Sequence, residues 1–429
     1  MSWLESAPAQ RLLQETEMPV PAVASCGARL NRFLARYAPL FYREEQRANA
    51  RIVVAGLLGD LERKTCEPIA RRNGLHRKPI QFFVGNGKWD DEAVLDELFR
   101  HVLECRADPH GIVVFDGSAF PKKGTASCGV KRQWCGRLGK VDNCQNAVFM
   151  AYATPAGYAP LDRRLYLPED WAGDAKRREH THVPVSVVFR TKWQIALDML
   201  DARGAIPHAW ITGDDEFGRV CEFRSDLRRR GEAYVLDVPC NTQIRDLETA
   251  PPARRKSRGR PPARPWLSVN AWMNLQPASR WQTFSIRDGT KGPLQVRALS
   301  TRVQTGSEKG VAVEERLIVF KTVEAHPRTV YALAHGPHSG HKGGASLDEL
   351  LRVAAARHRV EEMFEAAKGE AGLGHYEVRS WIGWHHHVTL SLLALWFLIL
   401  ERERLGKKMS RIDGATNAPT LLAPAAQTA

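Results

Sequence analysis

Asp116 ends the apolar run GIVVF, Asp214 ends the segment HAWITG, and Glu361 stands inside RHRVEEMFEAAKGE. Two aspartates leaving strand ends and a glutamate on a later helix can converge on a divalent cation, because carboxylate oxygens are the hard donors such ions take. Each acid also has a plainer reading. A strand-end aspartate caps the turn or helix that follows it, and a helix whose acids and bases alternate is often just laced with i,i+4 ion pairs. On the helix around Glu361, Arg357 and Lys368 share its broad face, since spacings of four and seven residues both return near the starting azimuth. The adjacent acids Asp215 and Glu362 leave the choice within each pair open.

The elements that must position these residues can be read from periodicity. Apolar residues recur at helical spacing from Leu30 to Arg63, and Asp90 and Asp91 offer N-caps for DDEAVLDELFRHVLE, so the first part of the chain is expected to be helical. The runs 111–115, 147–154 and 163–167 then read as strands, followed by a helix at 191–204, a strand at 208–212, a helix from about Phe217 and a strand at 232–238. That alternation predicts an α/β sheet core, in which ligand sites collect at the carboxyl ends of strands. Four further strands, 281–288, 293–300, 316–323 and 329–336, come without intervening helices and predict a β-rich insertion between the second aspartate and the glutamate. Helix returns from Ser346 to Gly372 and again from Trp384 to Arg404, and the Ala-, Pro- and Thr-rich tail after Lys408 is expected to be disordered.

The chain of 429 residues carries 62 Lys and Arg against 48 Asp and Glu, a formal charge of +14, which favours a polyanionic partner through counterion release. Residues 250–266, APPARRKSRGRPPARPW, hold six cations, five prolines and one glycine with no acid, an extended basic linker. Within it Arg254, Arg255, Lys256, Arg258 and Arg260 are candidate DNA contacts, and Arg258-Gly259-Arg260-Pro261 has the core of an AT-hook, whose arginines fit a narrow minor groove. No secretory signal is expected at the N-terminus. The apolar stretch Val388–Leu400 is shorter than the roughly 20 residues a bilayer requires and reads as a buried helix. Eight cysteines without a CxxC pair fit a reducing cytoplasm, and Cys128, Cys135 and Cys144 read as buried small hydrophobes. His385, His386 and His387 cannot all point one way on a helix and are expected to combine packing with DNA-facing polar contacts. Trp266, Trp272 and Trp281 could stack on a displaced base, but core positions suit them better.

Taken together, RVEEMFEAAK resembles the Tyr-Arg-Glu-Lys signature of insertion-sequence transposases that carry a DDE triad on an RNase H-like core. The arginine four before the glutamate and the lysine seven after it are matched by Arg357, Glu361 and Lys368, while Ala354 stands where the tyrosine would be. VVFDGSAFPKKG, VKRQWCGRLGKVDNCQNAVF, RRLYLPEDW, ITGDDEFG and GLGHYEVRSWIGWHHHVTLSLLA are similar to successive blocks of one bacterial branch of that family. The resemblance implies that Asp116, Asp214 and Glu361 are catalytic metal ligands for Mg2+, with Mn2+ able to substitute. It selects Glu361 over Glu362 through Lys368, and Asp214 over Asp215 through Phe217-Gly218. Two ions roughly 4 Å apart at such a site activate a water or a 3′-hydroxyl and stabilise the leaving oxygen. Arg357 and Lys368 would hold phosphates.

The implied organisation is an N-terminal helical DNA-binding and synapsis domain (1–105), an RNase H-like core in two parts (106–231 and 341–405), the basic linker and β-rich insertion between them (232–340), and a tail (406–429). The implied activity is binding of terminal inverted repeats, then metal-dependent cleavage and transfer of DNA strands by a homo-oligomer, a dimer on paired ends. The expected setting is the bacterial cytoplasm at the nucleoid, without a membrane. A non-catalytic DNA-binding repressor derived from such an enzyme is the alternative, and a metal-dependent hydrolase of a smaller substrate is a third reading that leaves the basic linker without a role.

Overall fold

The computed structural model of the protein describes residues 25–250, 263–289, 292–306, 312–324, 327–336 and 344–405. The described chain opens with helices α1 (Cys26–Ala35), α2 (Glu44–Leu57), α3 (Cys66–Arg72), α4 (Arg77–Asn86) and α5 (Asp91–Arg106). Helix α5 starts where its acids predict. The Asp90 carboxylate accepts from the N–H groups of Glu92 and Ala93 at 3.0 and 3.1 Å, and Asp91 and Glu92 occupy the electropositive first turn.

Strands β1 (Ile112–Pro121), β2 (Lys131–Cys135), β3 (Lys140–Thr154) and β4 (Gly157–Leu165) follow. After them come α6 (Lys192–Ala202), β5 (Trp210–Gly213), the short turn of helix Asp215–Gly218, α7 (Cys221–Arg229) and β6 (Tyr234–Asp237). Among the described residues the remaining strands are β7 (Gln243–Asp246), β8 (Leu267–Ser268), β9 (Gln282–Gly289), β10 (Gly292–Thr305), β11 (Val313–Thr322) and β12 (Thr329–His335), followed by α8 (Leu347–Gly369) and α9 (Trp381–Leu405).

The expected α/β architecture with a mixed sheet is the one observed. β1, β5 and β6 are parallel neighbours, while β3 runs antiparallel to β1 and is itself flanked by β2 along its first residues and β4 along the rest. β12 adds antiparallel to β6, and β11 and β10 continue outward, so the β-rich stretch extends this sheet. A buried polar cluster ties that extension to the core. Glu315 of β11 lies 2.9 Å from Arg224 of α7 and accepts from the Tyr234 hydroxyl of β6 at 2.5 Å. Burial resists the Glu315 charge, but Arg224 and the hydroxyls of Thr305 and Tyr234 hold its pKa below the usual range.

Several local expectations change. β1 does not stop at Asp116 but continues to Pro121, because β3 stays paired with it over the whole length, Ile112↔Ala153 through Pro121↔Cys144. The hairpin β2–β3 has no counterpart in the sequence reading, since KRQWC lacks a β-branched run. Among the described residues α9 is the one helix long and apolar enough to cross a membrane by length and composition, yet nearly all of its apolar window is buried inside the fold, as the buried-helix reading of 388–400 required.

The three consecutive histidines are buried as well, and the expectation of DNA-facing contacts fails. His386 stacks on Trp89 with its nitrogens 3.1 Å from the Val84 and Trp89 carbonyl oxygens, and His387 Nε2 lies 2.9 Å from the Gly372 carbonyl. Trp272 is core, donating to Asp246 at 2.7 Å. Cys128, Cys135 and Cys144 are buried as expected. The basic linker residues Arg254, Arg255, Lys256, Arg258 and Arg260, with the tail 406–429, lie outside the described residues.

Candidate active site

The register of the parallel strands places three acids at one level. Phe115 pairs with Gly213, and Gly213 with Leu236, so the next residue on each strand is Asp116, Asp214 and Asp237 in turn. Side chains alternate along a strand. Phe115 packs against Phe217 and Phe223 on the α7 side, which sends Asp116 to the other face. Its cross-strand partner Phe149 packs there against Phe364 of α8, with ring centroids 4.9 Å apart. The sheet thus aims Asp116 at the helix that carries Glu361.

Asp214 does the plain structural task as well as facing the site. Its Oδ1 accepts from the Glu216 N–H at 3.0 Å and so caps the turn Asp215–Gly218. Asp215 instead pairs outward with Arg219 at 2.6 Å. The turn lies tight on β6: a Cβ at Gly218 would come within 1.9 Å of the Asp237 carbonyl oxygen, so only glycine fits there. On α8 the adjacent acids also separate. Glu361 is half-buried and faces Arg357, whereas Glu362 is exposed.

Arg357 joins the two halves of the site. Its Nε lies 3.0 Å from Asp237, and its Nη1 donates to Glu361 at 2.5 Å. Burial disfavours the guanidinium charge, yet Asp237, Glu361, Asp214 and Asp116 together hold its pKa above the ordinary value. The carboxyls respond to the same field. Burial, then the Asp214 charge, push Asp116 up to about 7, against the pull of Arg357 and Lys368. Burial and Glu216 push Asp214 up to about 6, and burial pushes Asp237 up to about 7 despite Arg357. At Glu361 burial is outweighed by a hydrogen bond with His358 and the Arg357 charge, and the carboxyl sits below its usual range.

Asp116, Asp214, Glu361, Arg357 and Lys368 therefore share one electrostatic neighbourhood. Asp237 belongs to it too, and the sequence reading missed it. YVLD has the same apolar-run-then-acid form as VVFD and ITGD, but with Val238 following it reads as mid-strand. Lys192 and Glu216, paired at 2.6 Å, were also missed. With Asp214, Lys368, His375, Arg137 and Trp134 they line an open cleft of about 620 Å3. Ala354, at the place of the signature's tyrosine, is buried against the extended sheet.

The donor chemistry fits a hard divalent cation. The acids offer only oxygen, and enclosed carboxylates that raise one another's pKa carry negative charge that such an ion would neutralise. As placed, Glu361 is held by Arg357 and by His358 at 3.2 Å, and among the described residues no three His, Cys, Asp or Glu side chains stand close enough to hold one ion together. Glu361 must exchange Arg357 for the cation if all three acids are to share it.

A family model described as DDE superfamily endonuclease matches residues 36–293, more than half of the chain, a span that holds Asp116 and Asp214 and ends before Glu361. A probable transposase for insertion sequence element IS701 from Microchaete diplosiphon is 33% identical over 126 residues, which is 28% of this chain and 33% of that protein. The match thus spans about a third of that relative's length. The fold is distantly similar to the cryo-EM structure of a piggyBac transposase synaptic complex with hairpin DNA, at 10% identity and a TM-score of 0.41 over 88% of this chain and 69% of that one.

Proposed function

We propose that this chain, which belongs to the DDE superfamily endonuclease family, is a transposase that binds the terminal inverted repeats of its insertion sequence and cuts and joins DNA strands with Mg2+ or Mn2+. The observation that carries the reading is the placement of Asp116 and Asp214 at one level of adjacent parallel strands, with Glu361 of α8 in the same electrostatic field. The strand order β4-β3-β1-β5-β6, with only β1, β5 and β6 parallel, supports taking this part of the sheet as the RNase H-like core.

Asp116, Asp214 and Glu361 would hold the cations, which when bound polarise the phosphoryl group and activate the attacking oxygen. The residues around them do the positioning. Arg357 offers a planar fork suited to two phosphate oxygens once Glu361 is released, and Lys368 supplies a point charge on the cleft wall. The Asp214 carboxylate is pre-aimed by its own N-cap bond. The substrate is duplex DNA carrying the element's ends and a target, handled by a dimer on paired ends in the bacterial cytoplasm.

The test is Mg2+-dependent cleavage and joining of DNA carrying the ends that flank the coding frame. Asp116→Asn, Asp214→Asn and Glu361→Gln should each abolish both steps, by at least about a hundredfold, because each removes a charged ligand. Unchanged turnover in all three would falsify the assignment. The repressor reading draws support from the hold of Arg357 on Glu361, and tight binding of the ends with no nicking under Mn2+ would favour it.

A further inference from the structure

A buried polar atom that meets no partner destabilises a fold, so each one in a native protein calls for a cause. Among the described residues the Ser118 hydroxyl is such a group: the side chain is 3% exposed and its Oγ has no hydrogen-bond partner. The strands around it explain why. β5 pairs with β1 only as far as Phe115↔Gly213, so Ser118 lies beyond its end. On β3 it stands opposite Ala147, which offers only a methyl. Gln145, the next residue of β3 on that face, is engaged by the Cys128 carbonyl at 2.6 Å and the Tyr376 hydroxyl at 2.8 Å.

Its position is a second, independent observation. Side chains alternate along a strand, so Ser118 faces the same way as Asp116, toward α8. Phe120, one step further on that face, packs against Phe149 and Tyr376. Ser118 also lines the open cleft together with Asp214, Glu365 and Lys368. Thr212 makes the contrast: its Oγ1 is equally buried and unpartnered, but it is not among the residues that line this cleft. Two residues of strand separate Ser118 from Asp116, a rise of about 6.6 Å, which is of the order of one step between successive phosphates on a nucleic acid strand.

We infer that the Ser118 hydroxyl donates a hydrogen bond to a non-bridging oxygen of the DNA phosphate next to the one cut at the acids, and so fixes how far the strand advances along the cleft. The inference rests on the proposed DNA chemistry of those acids and adds one substrate contact to it. A hydroxyl suits the place because it donates without carrying charge, so it can be buried beside Asp116 where an unpaired lysine or arginine could not. Lys368 supplies attraction from the cleft wall; Ser118 supplies register. With the strand bound, a donor that is idle in the free protein faces a charged acceptor, and such bonds are roughly twice as strong as neutral ones.

The experiment uses the full chain and DNA carrying the ends that flank the coding frame, with one backbone phosphate at a time replaced by a methylphosphonate on either side of the cut. Cleavage is followed with Mg2+, and stability by urea unfolding. In the wild type a replacement at one phosphate adjoining the cut should slow cleavage by about tenfold or more, the scale of one hydrogen bond to a charged oxygen. Ser118→Ala should slow cleavage of unmodified DNA by about the same factor and become several-fold less sensitive to that one replacement. Its urea midpoint should equal or exceed that of the wild type, because an unmet donor has been removed. Ser118→Thr, which keeps the hydroxyl, should regain both rate and sensitivity, and Thr212→Val should keep the wild-type pattern of sensitivity. Should Ser118→Ala fail to fold, Ser118→Cys carries the same comparison with a weaker donor of similar shape. An unchanged pattern of sensitivity in these Ser118 variants overturns the contact, and a lowered urea midpoint beside that pattern would give the hydroxyl to the fold alone. A wild type that does not cut the unmodified DNA sinks the DNA reading along with this one.

Discussion

On the proposed function, Asp237 would set the terms on which a cation binds the three acids without being its ligand. Arg357 divides its charge between Asp237 and Glu361. Without the Asp237 charge the guanidinium has Glu361 as its principal partner, so a cation must break a tighter pair to recruit that carboxylate, and the site also loses negative potential. Both effects have the same sign. Asp237→Asn should therefore raise the Mg2+ concentration needed for half-maximal cleavage by about tenfold, near 1.4 kcal/mol. A metal titration of cleavage checks this, and a half-saturation point identical to the wild type would leave Asp237 a structural acid only. Asp116 and Asp214 were legible as candidates because each stands at the end of an apolar run, and Glu361 because its arginine and lysine sit at the family's spacing. Asp237 was not, because only the register of three strands reveals that Leu236 lies level with Gly213 and Phe115.

At the scale of elements, local patterns were readable and pairings across sequence were not. The helix α5 announces its own cap, and the core strands announce their apolar runs. That β12 adds beside β6, and that Glu315 of the next strand, β11, ties the extension to α7 through Arg224, depends on contacts about ninety to a hundred residues apart that periodicity cannot encode. Helix α9 illustrates the same limit. Its HHH was expected to combine packing with DNA-facing polar contacts, but each imidazole is buried among carbonyls and rings and only the packing remains. Burial holds His386 and His387 at about 4, below the ordinary 6.5. Since the folded pKa values are depressed, the unfolded chain binds more protons between those limits. The neutral imidazoles contribute their full stability above about pH 6.5, and it drains away as the pH falls toward 4. By pH 5 the loss is roughly 2 kcal/mol per histidine. Urea midpoints at pH 7.5 and 5.0 should show it, and His387→Gln should lose less than the wild type over that interval by about the same amount. Equal losses in both proteins would mean His387 is not buried neutral.

Over the whole molecule the formal charge of +14 overstates nothing, but it is unevenly available. Many arginines are already committed to internal pairs: Arg163 to Asp91 and Glu92, Arg203 to Asp96 and Asp162, Arg224 and Arg228 to Glu315, Arg29 to Glu401. The pairs of Arg163, Arg203, Arg224 and Arg228 fasten helices to the sheet and Arg29–Glu401 fastens α1 to α9, so none can meet phosphate without loosening the fold. On the proposed function the cations that meet DNA come from elsewhere, and the sequence clusters five of them, Arg254, Arg255, Lys256, Arg258 and Arg260, with no acid among them. Each phosphate neutralised on duplex DNA contributes about 0.9 to the slope of log K against log salt. If these five cations each touch a phosphate, replacing them by serine or glutamine should make the slope shallower by about 4.5, with affinity falling most at low salt. Anisotropy titrations from about 50 to 200 mM salt would measure it. A slope that does not move would place the electrostatic footprint on the folded surface around the cleft, where Lys192, Lys368 and Arg137 stand. A slope that falls only on A·T-rich duplexes would place the arm in a narrow minor groove, as its Arg-Gly-Arg-Pro core suggests.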